Sequence, residues 1–226
     1  PNDYHHFLAT GAAEVLESCG RRQDAIAGDD ELSNMARTLA MRPYLRWMAA
    51  ACASSLICGR YRLALSEGQT ALAIEPNDPA DVSLTLALTY AKLEDEEGFR
   101  ALCATADERR GQAWYGLARM AFAYKNEDYD AAKTQVTSLL EAYPNAGTTL
   151  ARQDDLPDGV YSRLCVDPLS EDELILATSE ATVLLQEGYS DGERGSMGSW
   201  LAGLPCVTEA RDRELEKDPS LGEGNA

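Results

Sequence analysis

Residues 59–77 and 127–145 of the chain repeat one another at a fixed offset. Gly59-Arg60-Tyr61-Arg62-Leu63-Ala64 aligns with Glu127-Asp128-Tyr129-Asp130-Ala131-Ala132, so Tyr61 pairs with Tyr129 and Ala64 with Ala132, each 68 positions on (129 − 61; 132 − 64). Ile74-Glu75-Pro76-Asn77 aligns at the same offset with Ala142-Tyr143-Pro144-Asn145. A fixed period of this size belongs to stacked supersecondary units, each a helix pair that cannot bury its apolar face alone. The small residues permit close helix crossings. The prolines end helices, because proline lacks an N–H and clashes with the preceding turn.

Sixty-eight is two periods of about 34 residues, the tetratricopeptide spacing. Gly59, Tyr61, Ala64, Ala71 and Pro76 resemble the turn, aromatic, small and terminating positions of a tetratricopeptide unit, and Tyr129, Ala132 and Pro144 resemble them again. Between them lies a degenerate unit. Asp95 stands where Tyr61 would recur, Gly98 replaces Ala64 and Arg110 replaces Pro76. Leu84, Leu86, Leu88, Tyr90 and Ala91 still form an apolar helix there, and Phe99, Leu102 and Cys103 a short amphipathic one. Glu94-Asp95-Glu96-Glu97 is the turn between them, its acids favourable at a helix start. Three units are expected, at 43–77, 78–111 and 112–145. The expected fold is all-α, a tetratricopeptide-like superhelix with extra helices at both ends.

A second resemblance is carried by Arg42-Pro43-Tyr44-Leu45-Arg46, Gly59-Arg60, Glu75-Pro76-Asn77-Asp78, Phe99, Trp114-Tyr115 and Ser199-Trp200-Leu201. Together these resemble bacterial relatives of the suppressor-of-tumorigenicity family over about residues 40–205. The resemblance implies a helical repeat fold and an interaction role, and it brings no catalytic residues.

The flanks divide the rest. Residues 1–42 hold two helices, near 3–19 and 30–41, separated by a loop at 20–29, and Pro43 opens the first repeat helix at a favoured first-turn position. Residues 146–205 hold an irregular loop at 153–168 and a helix from about 170 to 187. Ser170-Glu171-Asp172-Glu173 opens that helix as a capping box, and its broad apolar arc must be covered on most sides. A short helix near 196–203 follows. Residues 206–226 read as an acidic, partly disordered tail.

Charge and chemistry narrow the function. The chain carries 38 acidic and 20 basic residues, a net charge of −18. That field repels phosphate backbones and anionic lipid surfaces, so neither nucleic acid nor membrane is an expected partner. The six cysteines sit in or beside apolar stretches with no C-x-x-C pair, the pattern of reduced core thiols in a cytoplasmic protein, so the cytoplasm is the expected location. His5 and His6, the only histidines, are adjacent and point about 100° apart on a helix; both read as surface residues. No metal site, phosphate loop, calcium loop or catalytic set emerges, and no cofactor is expected.

The expected activity is therefore non-catalytic protein–protein interaction, in which an adaptor holds an apolar or helical segment of a partner, or self-associates as a homodimer. On the face formed by the first helix of each pair, the candidate binding residues are Arg46, Ala53, Leu56, Ser83, Tyr90, Trp114, Leu117, Arg119, Tyr124 and Lys125. Two alternatives stand beside this reading. The 170–187 helix covers that face itself, or a pocket between the array and this helix, lined by Tyr90, Trp114, Arg119 and Tyr124, serves a small-molecule sensor or enzyme.

Overall fold

The computed structural model describes residues 2–105, 112–153, 166–188 and 194–222. Those residues form twelve α-helices and no strand; the chain is all-α. It divides into two compact units, 1–89 and 90–226.

The first unit opens with α1 (Asn2–Asp24) and α2 (Glu31–Ile57). Asp30 caps α2, its carboxylate accepting from the Ser33 N–H at 2.8 Å. The expected helix break at Pro43 is absent: α2 runs unbroken through it. Proline removes one backbone bond and crowds the preceding turn, so the helix must be held from outside, and α1 does so on both sides of Pro43. The Trp47 Nε1–H donates to the Leu8 carbonyl at 2.8 Å. The Phe7 and Trp47 rings lie 5.2 Å apart. Toward the other end, Gln23 donates to the Arg37 carbonyl, and Arg37 donates to Ile26 and Gly28 carbonyls. Because α1 extends to Asp24, the expected loop shrinks to the residues around 26–30.

The 68-residue match has a structural counterpart. Helix α3 (Tyr61–Ile74) and α7 (Tyr129–Ala142) begin and end 68 residues apart. Their buried positions coincide too: Ala64, Gly68 and Ala71 in α3, and Ala132, Val136 and Leu139 in α7. Gly59 takes the turn before α3 at φ 73°, and Glu127 takes the same place before α7 at φ 59°. A side chain in that left-handed region costs about 1 kcal/mol, so the glutamate is tolerated where glycine fits freely.

Helix α4 (Val82–Leu93) precedes α5 (Glu96–Thr105). Asp95 caps α5 by accepting from the Gly98 N–H at 2.8 Å, as the acidic turn led one to expect.

The second unit is organised around α6 (Ala113–Lys125), which is buried at Ala113–Ala118 and Met120–Phe122. A helix buried nearly all round needs neighbours on several sides. Helix α7 packs on one, and α9 (Glu171–Glu180) on another. The expected helix to 187 is interrupted at Ala181, with α10 (Thr182–Leu185) following. Near the break, the Thr182 hydroxyl donates to the Ser179 carbonyl at 2.7 Å, a local bond that competes with regular helix.

Helix α8 (Ala146–Arg152) and α11 (Ser196–Ala202) complete this layer. The expected tail is mostly ordered: residues Pro205–Lys217 form α12, which packs on α8, and a short turn follows at Pro219–Gly222. Proline at the first position starts α12, and the Glu214 carboxylate fixes it by accepting from the N–H groups of Gly147 and Thr148 at 3.0 and 2.7 Å. The loop expected at 153–168 lies largely outside the described residues.

Candidate functional site

The ten candidate residues divide sharply by exposure. Leu56 and Leu117 are fully buried, and Ser83, Tyr90 and Trp114 are nearly so. Ala53, Arg119, Tyr124 and Lys125 are half-buried, while Arg46 is exposed. In this structure, the α6 residues Trp114 and Leu117 do not reach solvent.

The cover on α6 is the chain's own. The Trp114 Nε1–H donates to the Glu180 carboxylate. Glu173, only 3% exposed, gathers donors from three places: the Ala113 N–H at 3.2 Å, the Tyr143 hydroxyl at 2.8 Å and the Leu169 N–H at 2.6 Å. The capping box is therefore altered. Ser170 accepts from the Glu173 N–H as expected, but the glutamate turns from its own cap to bind α6 and Tyr143. Burial, and then the bond to Glu173, push the Tyr143 phenol's pKa well above its ordinary 10.0.

Further along, Lys92 donates to the Val183 carbonyl at 2.8 Å and pairs with Glu187 at 3.2 Å. Lys125 pairs with Glu94 and Glu187 at 3.2 and 3.3 Å. Two nearby lysines hold Glu187 below the ordinary carboxylate range despite partial burial. Tyr124 packs at a tilt against Trp200 of α11 with centroids 5.0 Å apart, and meets Tyr129 edge-on at 5.6 Å. Trp114, Tyr124 and Lys125 thus spend their polar and aromatic groups inside the unit. The α6 face is occupied by the protein's own C-terminal helices.

Arg46 leads elsewhere. Helical steps of three and four place Leu32, Met35, Leu39, Arg42, Arg46, Ala49, Ala53 and Leu56 along one stripe of α2. At its N-terminal end the stripe is open: Leu32 is 76% exposed, Met35 55% and Leu39 45%. Arg42 and Arg46 are exposed as well, and neither has a carboxylate partner among the described residues. Exposed large apolar side chains in regular register are uncommon on an isolated soluble surface. Sequence spacing sets a boundary at Pro43 that separates Leu32, Met35 and Leu39 from Arg46, and the unbroken α2 joins them in one stripe.

Buried polar chemistry appears in one unexpected place. His5, expected at the surface, is 1% exposed. Its Nδ1 lies 3.4 Å from the Ser55 hydroxyl, which donates to the Glu67 carboxylate at 2.6 Å. Histidine, serine and glutamate are the residue types of a nucleophilic triad, but the order is wrong: serine sits between the other two and donates to the acid, so the acid does not orient the histidine as the serine's base. Ser55 is also fully buried. The set is a structural tie joining α1, α2 and α3.

That tie makes stability depend on pH. Burial lowers the His5 pKa below 6.5, and the nearby charges of Arg60 and His6 push the same way. Burial raises the Glu67 pKa, opposed by the Ser55 hydrogen bond and Arg60. For a histidine with a lowered folded pKa, the unfolded state binds more protons. Its stabilising contribution is therefore present above pH 6.5 and is lost as pH falls toward the folded value. The melting-temperature margin of the wild type over His5→Gln is expected to shrink between pH 7.5 and 5.5. A constant margin would show that His5 is not held neutral by burial.

Among the described residues no cluster of three or more His, Cys, Asp or Glu is placed to hold a metal ion. None of their helices is long and apolar enough to cross a membrane. Cys19 and Cys52 are buried, Cys58, Cys103 and Cys206 half-buried, and none of these five is in a disulfide. Comparison of the chain with protein-family models, with curated proteins and with solved structures gives no match.

Proposed function

We propose that this chain is a non-catalytic interaction module of tetratricopeptide-like helix pairs, and that it holds an amphipathic, acidic helix of another protein against the outward stripe of α2. One observation carries the reading: Leu32, Met35, Leu39, Arg42 and Arg46 lie exposed in regular register, with no carboxylate partner for either arginine among the described residues. Apolar positions every three or four residues accept the apolar seam of a second helix. The two guanidiniums then call for carboxylates on that helix, because an arginine at a docked seam is costly unless paired. A second copy of this chain fits less well, since it adds two more arginines and no carboxylate at the stripe positions. The coincidence of α3 with α7 in length and buried positions supports the repeat reading.

The test uses two synthetic amphipathic helices of about 20 residues. They share one leucine seam, with glutamate flanking it in the first and lysine in the second. By fluorescence anisotropy, the glutamate helix is expected to bind at least about tenfold more tightly, a difference near 1.4 kcal/mol, and to weaken as salt rises. Leu39→Asp removes the binding, and the paired change Arg42→Glu with Arg46→Glu reverses the preference. Equal affinity for both helices, or binding that survives Leu39→Asp, contradicts the reading. Self-association that disappears in the Leu39→Asp protein, seen by sedimentation, would assign the stripe to a homodimer instead.

A further inference from the structure

A second surface in residues 90–226 has a different character. Helices α5 and α6 border a cleft of about 460 Å³, lined by Glu96, Phe99, Arg100 and Cys103 from the first and Arg119, Phe122 and Ala123 from the second. Its size falls within the range of small-molecule sites. Phe99 and Phe122 are both 8% exposed, and their rings lie 5.0 Å apart at 40°. They offer an apolar wall. Residues 96, 99, 100 and 103 share one face of α5, and 119, 122 and 123 one face of α6, so helical spacing alone brings these groups to the cleft.

Charge completes the description. Among the described residues neither Arg100 nor Arg119 has a carboxylate within ion-pair distance. Among the described residues lining the cleft the one acid is Glu96, which accepts from the Asn126 side-chain amide. In the same unit Lys92 and Lys125 are drawn into ion pairs with Glu187 and Glu94. In a chain with 38 acids against 20 bases, two guanidiniums with no carboxylate partner among the described residues, beside one aromatic wall, form a recognition arrangement. A guanidinium presents a planar fork that matches a carboxylate, and it stacks readily on aromatic rings.

We propose that the α5/α6 cleft binds a small organic acid: a carboxylate held by Arg100 and Arg119, carrying an aromatic or branched apolar body that packs on Phe99 and Phe122. This site does not depend on the α2 stripe, and its failure would leave the helix-holding reading standing.

Phenylacetate and indole-3-acetate serve as probes, with phenethylamine and inorganic phosphate as controls. One control lacks the carboxylate and the other lacks the apolar body. Binding is read by calorimetric titration on the full chain. In parallel, iodoacetamide alkylation of Cys103 in the cleft wall is followed by peptide mass spectrometry, with Cys58 and Cys206 as internal references. The two acids are expected to give saturable heats and to slow alkylation of Cys103 alone; the amine and phosphate do neither. Arg119→Gln and Arg100→Gln each weaken the acids by at least about tenfold, the loss of one charge-assisted contact. Unchanged melting temperatures for these variants show that the fold is retained. The proposal is overturned by no saturable heat with either acid, by equal binding of phenethylamine, or by full affinity in the double arginine variant.

Discussion

Replacing Glu173 by leucine is expected to destabilise the protein by about 3 kcal/mol, because a buried donor deprived of its charged acceptor costs about 1–3 kcal/mol and such losses overlap. The buried donors are the Tyr143 hydroxyl after α7 and the Ala113 N–H at the start of α6, which also has the Tyr143 oxygen as a partner, whereas the Leu169 N–H before α9 belongs to a residue 52% exposed and can turn to water. Leucine has similar bulk and leaves no large cavity, so the loss reports on hydrogen bonding rather than volume. Glu173→Gln keeps one acceptor but turns an amide NH₂ toward a donor. About half the loss is expected there, near 1.5 kcal/mol. Chemical denaturation monitored by tryptophan fluorescence checks both, since Trp114 bonds to Glu180 of the same helix as Glu173. A typical domain has only about 5–15 kcal/mol to lose, so the leucine variant should melt far below the wild type. A leucine variant within about 1 kcal/mol of wild type would mean that α9 is not fastened to α6 in solution.

Gly147→Ala is the second large effect. The added Cβ would stand 2.4 Å from the Arg211 backbone nitrogen and 2.7 Å from the Ala210 carbonyl carbon. Neither atom belongs to a flexible side chain, so α8 and α12 must separate. Overpacking of this kind costs about 1–3 kcal/mol. Separation also pulls the Glu214 carboxylate away from the Gly147 N–H, the Thr148 N–H and the Thr148 hydroxyl. A total of about 3 kcal/mol is expected, together with faster proteolysis within Pro205–Lys217, since that helix would be released first. Equal proteolysis rates in variant and wild type would show that the α8–α12 contact is looser than this.

The sequence was most readable where residue type alone dictated backbone. Gly59, Tyr61, Ala64 and Pro76, with their counterparts 68 residues on, located α3 and α7 nearly to the residue, because turns, close crossings and helix ends tolerate few side chains. Ser170 marked the start of α9 for the same reason. Misreadings came where tertiary packing overrode local preference. Pro43 reads as a helix start, yet α1 holds α2 straight past it. Residues 206–217 read as an acidic tail, yet Val207 and Ala210 are buried and Glu214 is spent on the N-terminus of α8. His5 reads as a surface residue beside His6, and only its contact with Ser55, fifty positions away, shows otherwise.

The candidate binding face was legible in part for the same reason. Arg46, Ala53 and Leu56 do share one stripe of α2, but its exposed end was hidden behind the misplaced boundary at Pro43. Trp114 has the character of a binding face because it does meet a helix, and that helix is α9, while Leu117 on the same α6 is fully buried. Spacing can show that a face wants a cover. It cannot show whether the cover comes from the same chain.

Hydrogen–deuterium exchange on the full chain, with and without the glutamate-flanked helix, therefore tests the central claim most directly. Binding is expected to slow exchange in α2, over residues 31–46, while α6 and α9 exchange at unchanged rates. Slowed exchange in α6 with faster exchange over residues 171–185 would contradict it, for the incoming helix would then have displaced α9 and taken the face that the protein covers itself.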